Sequence, residues 1–202
     1  MIAGAAPGYG PMISPLRPVT RSAILEISLG SEGEQRSQPC VIHGVQTFLP
    51  ILEANAGGGH IVNTASMAGL VAPPRLGAYS VTKYGVVALT EVLAAELAAQ
   101  GSKVSASVLC PGTVRTNIGT SSRNRPPYFA HQGLRDVDIE EEDNPVHRWI
   151  DPEDAGAVAV RAIKRGTLYA ITHPDWLDMV EKRHSVIANA FREAAAEAAT
   201  DT

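Results

Sequence analysis

The chain has 202 residues, enough for one domain with a substantial core, and its 45% apolar and 19% charged residues are ordinary for a globular protein. A net charge of −4 gives no reason to expect nucleic acid or an anionic membrane as partner. The two cysteines and six histidines show no metal-ligand spacing and no apolar run approaches the ~20 residues of a membrane span, so the expected setting is cytoplasmic, without a metal site.

Residues 1–40 form an irregular N-terminal segment. Met1 to Arg21 is rich in Gly, Pro and Ala and has no helical or strand period. It lacks the basic stretch and apolar core of a secretory signal, although Arg17 and Arg21 with no acid before Glu26 faintly resemble a transit peptide. Ser22 to Leu29 predicts one strand or a helical turn or two, and Gly30 to Pro39 is polar and irregular. Gly4, Gly8 and Gly10 are spaced G-x-x-x-G-x-G, but without a strand before or a helix after them they read as loop glycines.

Val41 to Ala56 predicts a helix, because Val41, Val45, Phe48, Leu49 and Leu52 recur at helical spacing. Pro50 inside it implies a kink or a lost hydrogen bond. Gly57, Gly58 and Gly59 end that helix and feed a strand over His60–Ala65, with His60 on its solvent side. Ser66 follows, then a loop broken by Gly69, Pro73, Pro74 and Gly77. Tyr79 to Gln100 predicts a long helix, apolar nearly all round and therefore buried on more than one side, with Gly101 ending it. Within it Tyr84 reads as a packing residue.

A spacing of four puts Tyr79 and Lys83 on one helix face, about one turn apart. A phenol is a poor acid or base near neutrality, with a reference pKa of roughly 10, and an adjacent ammonium favours the phenolate and suits it to proton transfer. Ser66 can add a hydroxyl to the same crevice and polarise a carbonyl or carbinol oxygen. Val104 to Leu109 is the next strand, followed by a Cys110-Pro111-Gly112 turn in which Cys110 reads as a small buried hydrophobe. Thr113 to Ile150 is long and polar, with an acidic run over Asp138–Asp143 that reads as a solvated face. Asp151 then predicts an N-cap, with Pro152 at the first helical position, for a helix ending near Gly166. Thr167–Thr172 is the last strand, and the final helix carries Trp176, Val180, Ile187 and Phe191 as its buried stripe before an Ala-rich tail expected to fray after Arg192.

The ordered set of strand, Ser66, Tyr79-x-x-x-Lys83 thirteen residues on, strand, and Pro111-Gly112-Thr113-Val114-Arg115-Thr116 resembles the short-chain dehydrogenase/reductase family, over roughly Val41 to Phe191. The resemblance implies an α/β fold: the C-terminal half of a Rossmann-like, doubly wound parallel sheet, with about three strands and flanking helices. The expected organisation is an atypical segment over 1–40, a partial Rossmann-type domain over 41–193, and a tail over 194–202. It also implies hydride transfer between NAD or NADP and a small-molecule carbonyl or secondary alcohol. Ser66, Tyr79 and Lys83 would be the catalytic residues, and Tyr79, Lys83, Pro111, Gly112, Val114 and Thr116 would meet the nicotinamide half of the cofactor. The 113–150 segment would close over the substrate, and the Tyr79–Gln100 helix would pack against a second subunit, making a homo-oligomer.

Departures from the family pattern are as informative. Neither the Gly-rich TGxxxGxG turn nor the NNAG stretch occurs in the sequence, and Ser37 stands where the family carries a fourth catalytic residue, an Asn. The expectation is that the first Rossmann half is missing from these residues, leaving one edge of the 60–65 strand uncovered unless Ala23–Leu29 folds against it. An inactive remnant that serves at most as a dimerising module is the rival reading. An epimerase or dehydratase using the same Tyr and Lys is weaker, given the short chain and the 111–116 turn.

Overall fold

A computed structural model describes residues 37–117 and 148–200. The Ser22–Leu29 element, the glycines at 4, 8 and 10, and most of the long polar segment with its acidic run lie outside the described residues. Three strands form a parallel sheet in the order β1 (Gly59–Thr64), β2 (Val104–Cys110), β3 (Tyr169–Ile171). Around them lie α1 (Ser37–Ala54), α2 (Gly77–Ala99), α3 (Pro152–Arg165) and α4 (Leu177–Thr200), with one-turn 3-10 segments at Met67–Gly69 and Pro174–Trp176. This is the expected half of a Rossmann-like α/β fold. Parallel strands need crossovers, and α2 and α3 lie in the two connections.

β2 is the central strand. Its alternate residues Val104, Ala106, Val108 and Cys110 are buried and join two clusters, one with Val45, Leu93 and Leu97, the other with Ala65, Met67, Val86 and Val87. The helical partners come from α1 and α2, so both helices cover one sheet face, while Ala65 and Met67 follow β1. α2 is tied to β1 by a polar link within this core. The Asn63 side chain donates to Thr90 Oγ1 at 3.0 Å, and that hydroxyl donates on to the Val86 carbonyl at 2.7 Å. Two buried polar side chains are thereby satisfied together.

Several expectations are corrected. Phe48 belongs to the periodic stripe of α1 but is 59% exposed, because its neighbours Val45, Leu49 and Leu52 already fill the space against the sheet. On α4, Ile187 and Phe191 are exposed at 41% and 76%; only the beginning of that helix, at Val180, packs on the core. The Ala-rich stretch after Arg192 is helical to Thr200. Asp151 does precede α3, but its side chain makes no cap hydrogen bond; its carboxylate takes Arg115 at 3.1 Å instead. Among the described residues no helix is long and apolar enough to cross a membrane.

His60 is not a plain solvent-side residue. Ser107 gives its proton to the Thr167 carbonyl at 2.6 Å, so toward His60 Nε2 at 2.7 Å it must accept. That fixes the Nε2–H tautomer and leaves Nδ1 to accept from the Ser105 hydroxyl at 2.7 Å. Burial lowers the pKa of His60 below its ordinary value of 6.5, so the folded state favours the neutral ring. Its contribution to stability is therefore present above pH 6.5 and is lost as pH falls below that value toward the folded pKa. Denaturant unfolding at pH 7.5 and 5.5 should show a larger stability loss in the wild type than in His60→Gln, and an equal loss in both would remove His60 from the account.

Candidate active site

The site is assembled where the first two strands end. Past Thr64 the pairing with β2 continues: the Ala65 amide donates to the Leu109 carbonyl and the Met67 amide to the Pro111 carbonyl, each at 2.8 Å. Ser66, between them, opens the 3-10 turn. It has an extended backbone, its Oγ accepts the Ala68 amide at 3.1 Å, and its hydroxyl donates to the Pro111 carbonyl at 3.4 Å. Small polar residues favour this capping geometry, and the second bond is at the long limit and weak.

Tyr79 is the third residue of α2 and Lys83 lies one turn on. The Lys83 ammonium sits 5.7 Å from the Tyr79 ring centroid and donates to the Thr64 carbonyl at 3.3 Å. That carbonyl closes β1 two residues before Ser66, so Ser66 and Lys83 meet the same strand end, and Tyr79 stands beside Lys83. Gly69 makes the approach possible. A Cβ there would lie 2.7 Å from the Lys83 carbonyl oxygen, so the turn rests directly on the α2 backbone.

Burial lowers the Lys83 pKa below its ordinary value, opposed by the Cys110 thiol. Cys110, fully buried, is pushed up to about 12 by burial and by the Glu91 charge, against the opposing pull of Lys83. It is a packing residue and not a thiolate nucleophile, as the sequence suggested. Among the described residues no group of three His, Cys, Asp or Glu side chains could hold a metal.

The 111–116 segment is anchored from a direction the sequence did not reveal. The Gly112 amide donates to Thr172 Oγ1 at 3.1 Å and His173 Nδ1 at 3.2 Å, while His173 Nε2 donates to the Arg148 carbonyl at 2.7 Å. His173 is 0% exposed and meets Trp176 edge-on at 5.8 Å between centroids. In the sequence only the position of His173, right after the last strand and before Pro174, hints at such a role. Beyond this pin, Val114 bridges to Ile150 in a short parallel pairing, with Thr116 exposed further along. The structure thus places Ser66, Tyr79, Lys83, Pro111 and Gly112 around two adjoining strand ends, and Val114 and Thr116 on the segment leading away.

A parallel sheet that gathers hydroxyl, phenol and ammonium groups at the carboxyl ends of its strands defines an α/β protein of the doubly wound class, whose ligands bind there. Comparison with known proteins narrows the class. A family model for short chain dehydrogenase matches residues 35–127. A C alpha-dehydrogenase from Sphingobium sp. is 29% identical over 151 residues, covering 73% of this chain and 48% of that protein. An "inactive 2-(S)-hydroxypropyl-CoM dehydrogenase 2" from Xanthobacter autotrophicus is 37% identical over 105 residues, covering 50% and 42%. The crystal structure of a short chain dehydrogenase/reductase from Burkholderia phymatum in complex with NAD superposes with a TM-score of 0.67 at 34% identity, covering 76% of this chain and 57% of that one. The chain belongs to the short-chain dehydrogenase/reductase family. It spans about half the length of the curated relatives it matches.

The pin between Gly112 and His173 can be tested by overpacking. A Cβ on Gly112 would lie 2.6 Å from two atoms of the His173 ring. Gly112→Ala should cost about 1–3 kcal/mol, lowering Tm by roughly 5 °C. If the ring is the obstacle, His173→Ala should cost less in the Gly112→Ala background than in the wild type, as a double-mutant cycle of thermal unfolding reads directly. Additive losses would place the strain elsewhere.

Proposed function

We propose that the protein is an NAD(P)-dependent oxidoreductase acting between the nicotinamide cofactor and a carbonyl or secondary-alcohol substrate. The observation that carries this reading is the state of Lys83. Its half-buried ammonium has one hydrogen-bond partner among the described residues, the Thr64 carbonyl, which leaves N–H donors for the hydroxyls of a ribose. The NAD bound in the Burkholderia relative supports the cofactor class.

In this reading Tyr79 passes the proton to or from the substrate oxygen. Lys83 stands with its ammonium 5.7 Å from the phenol ring centroid and holds the nicotinamide ribose. Ser66 turns its O–H from the Pro111 carbonyl to the substrate oxygen, giving up a long bond that contributes about 1 kcal/mol or less. Pro111, Gly112, Val114 and Thr116 face the nicotinamide end. When bound, NAD(P) supplies or accepts the hydride.

A second reading, a chain that keeps the fold without turnover, is favoured by one observation. The sequence holds no TGxxxGxG, and among the described residues no glycine-rich turn leads from a strand into a helix to cradle a pyrophosphate. The residues present fit the nicotinamide half only, and binding energy from the remote half of a dinucleotide is what positions its reacting end. The expected result for this chain is therefore weak NADH and NADPH binding by calorimetry and negligible turnover. Both should rise when an N-terminal half carrying TGxxxGxG is supplied. In that complemented protein Tyr79→Phe should lower kcat by at least ~100-fold. Turnover that survives Tyr79→Phe would remove the phenol from the proton path, and micromolar binding by the chain alone would show that residues 1–40 build the pocket.

Phe48 and Ile51 on α1 and Val81 and Val92 on α2 are exposed, which supports a homo-oligomer built on these two helices. Light scattering at micromolar concentration should report a dimer or larger species; a monodisperse monomer refutes it.

A further inference from the structure

Beside the Ser66 turn, between α2, β3 and α4, lies a cavity of about 680 Å³, within the range of small-molecule sites. Its walls are largely apolar: Leu70, Val87, Ala88, Ile171, Leu177 and Val180. Ser66, Tyr79 and Lys83 do not line it, so it is separate from the crevice described above and independent of the roles proposed there.

The polar groups around it are few and unevenly committed. Glu91, the acid of the lining, is engaged because the Tyr169 hydroxyl donates to its carboxylate. Arg183 is different. Its guanidinium stands over an aromatic neighbour, with Cζ 5.0 Å from the Tyr84 ring centroid, and among the described residues it forms no ion pair. The Tyr84 hydroxyl is buried and, among the described residues, has no hydrogen-bond partner. His184 follows Arg183 at the same wall.

We propose that this cavity binds a small amphipathic carboxylate, with its hydrocarbon body on Leu70, Val87, Ile171 and Val180 and its carboxylate on Arg183. The charge pattern selects this class. A guanidinium held on an aromatic face offers a planar donor pair that matches a carboxylate. A neutral hydrocarbon leaves that donor pair unused, and a cation would face the Arg183 charge, while the Glu91 carboxylate already accepts the Tyr169 hydroxyl. Met67, Gly69 and Leu70 form part of the wall, so the ligand rests against the same turn that Ser66 caps.

Calorimetric titration of the full chain with octanoate, octylammonium and octan-1-ol tests the proposal. Octanoate should bind with one site per chain and at least tenfold more tightly than octylammonium. Arg183→Gln should weaken octanoate at least fivefold and leave octan-1-ol unchanged. Ala88→Trp, which fills the cavity from an exposed helix position, should abolish binding of both, with circular dichroism reporting an unchanged fold. Equal affinity for octanoate and octylammonium overturns the proposal, as does octanoate binding untouched by Arg183→Gln. Absence of octanoate binding also overturns it, and self-association weakened by Ala88→Trp would then assign the groove to a second copy of the chain.

Discussion

Two hydrogen bonds past the end of β1 hold the candidate site in place. The Ala65 amide to the Leu109 carbonyl and the Met67 amide to the Pro111 carbonyl prolong the pairing that runs from Gly59–Val104 to Thr64–Leu109. Because side chains alternate along a strand, this register decides which face and which level each residue reaches, and a slip of one would turn Ser66 away from the Pro111–Gly112 turn. Neither turn needs to be rigid by itself. Each is fixed by the other through the Pro111 carbonyl, which takes both the Met67 amide and the Ser66 hydroxyl.

From that junction two close approaches carry order outward. On one side the absence of a side chain at Gly69 lets the 3-10 turn lie on the α2 backbone at Lys83, and Lys83 reaches back to the Thr64 carbonyl. On the other side Gly112 lies against the His173 ring, which links the end of β3 to the start of the segment after β2. Beneath both, Cys110 and Val108 are fully buried, so the polar groups stand on a close-packed floor. This arrangement explains why Lys83 remains partly desolvated. Its ammonium reaches back from α2 to the Thr64 carbonyl at the strand end, and burial lowers its pKa.

α4 follows a different logic. Val180 near its beginning packs against the core, but Ile187 and Phe191 remain exposed and the helix buries no residue fully. A helix held at one end by a few contacts is the kind of element whose surroundings leave a cavity, because little packing pressure draws it onto its neighbours. The space between α4 and α2 fits that description.

Sequence alone settled what short-range physics controls. The apolar runs of β1 and β2, the glycines before them and the long apolar stretch of α2 placed these elements within a few residues of the observed limits, while the three-strand α/β arrangement followed from the family resemblance. The i, i+4 spacing put Tyr79 and Lys83 on one face with no need of a fold, and an apolar strand around Cys110 was enough to mark it as buried. What the sequence could not supply were relations set by chain segments far apart. Nothing near Gly112 announces that His173, sixty-one residues away, holds its amide, and nothing near His60 announces its partners Ser105 and Ser107 on the next strand. The period of α4 showed that Ile187 and Phe191 share a stripe with Val180 but not that the core ends before reaching them. Periodicity records which residues face the same way; only tertiary packing decides what, if anything, stands opposite.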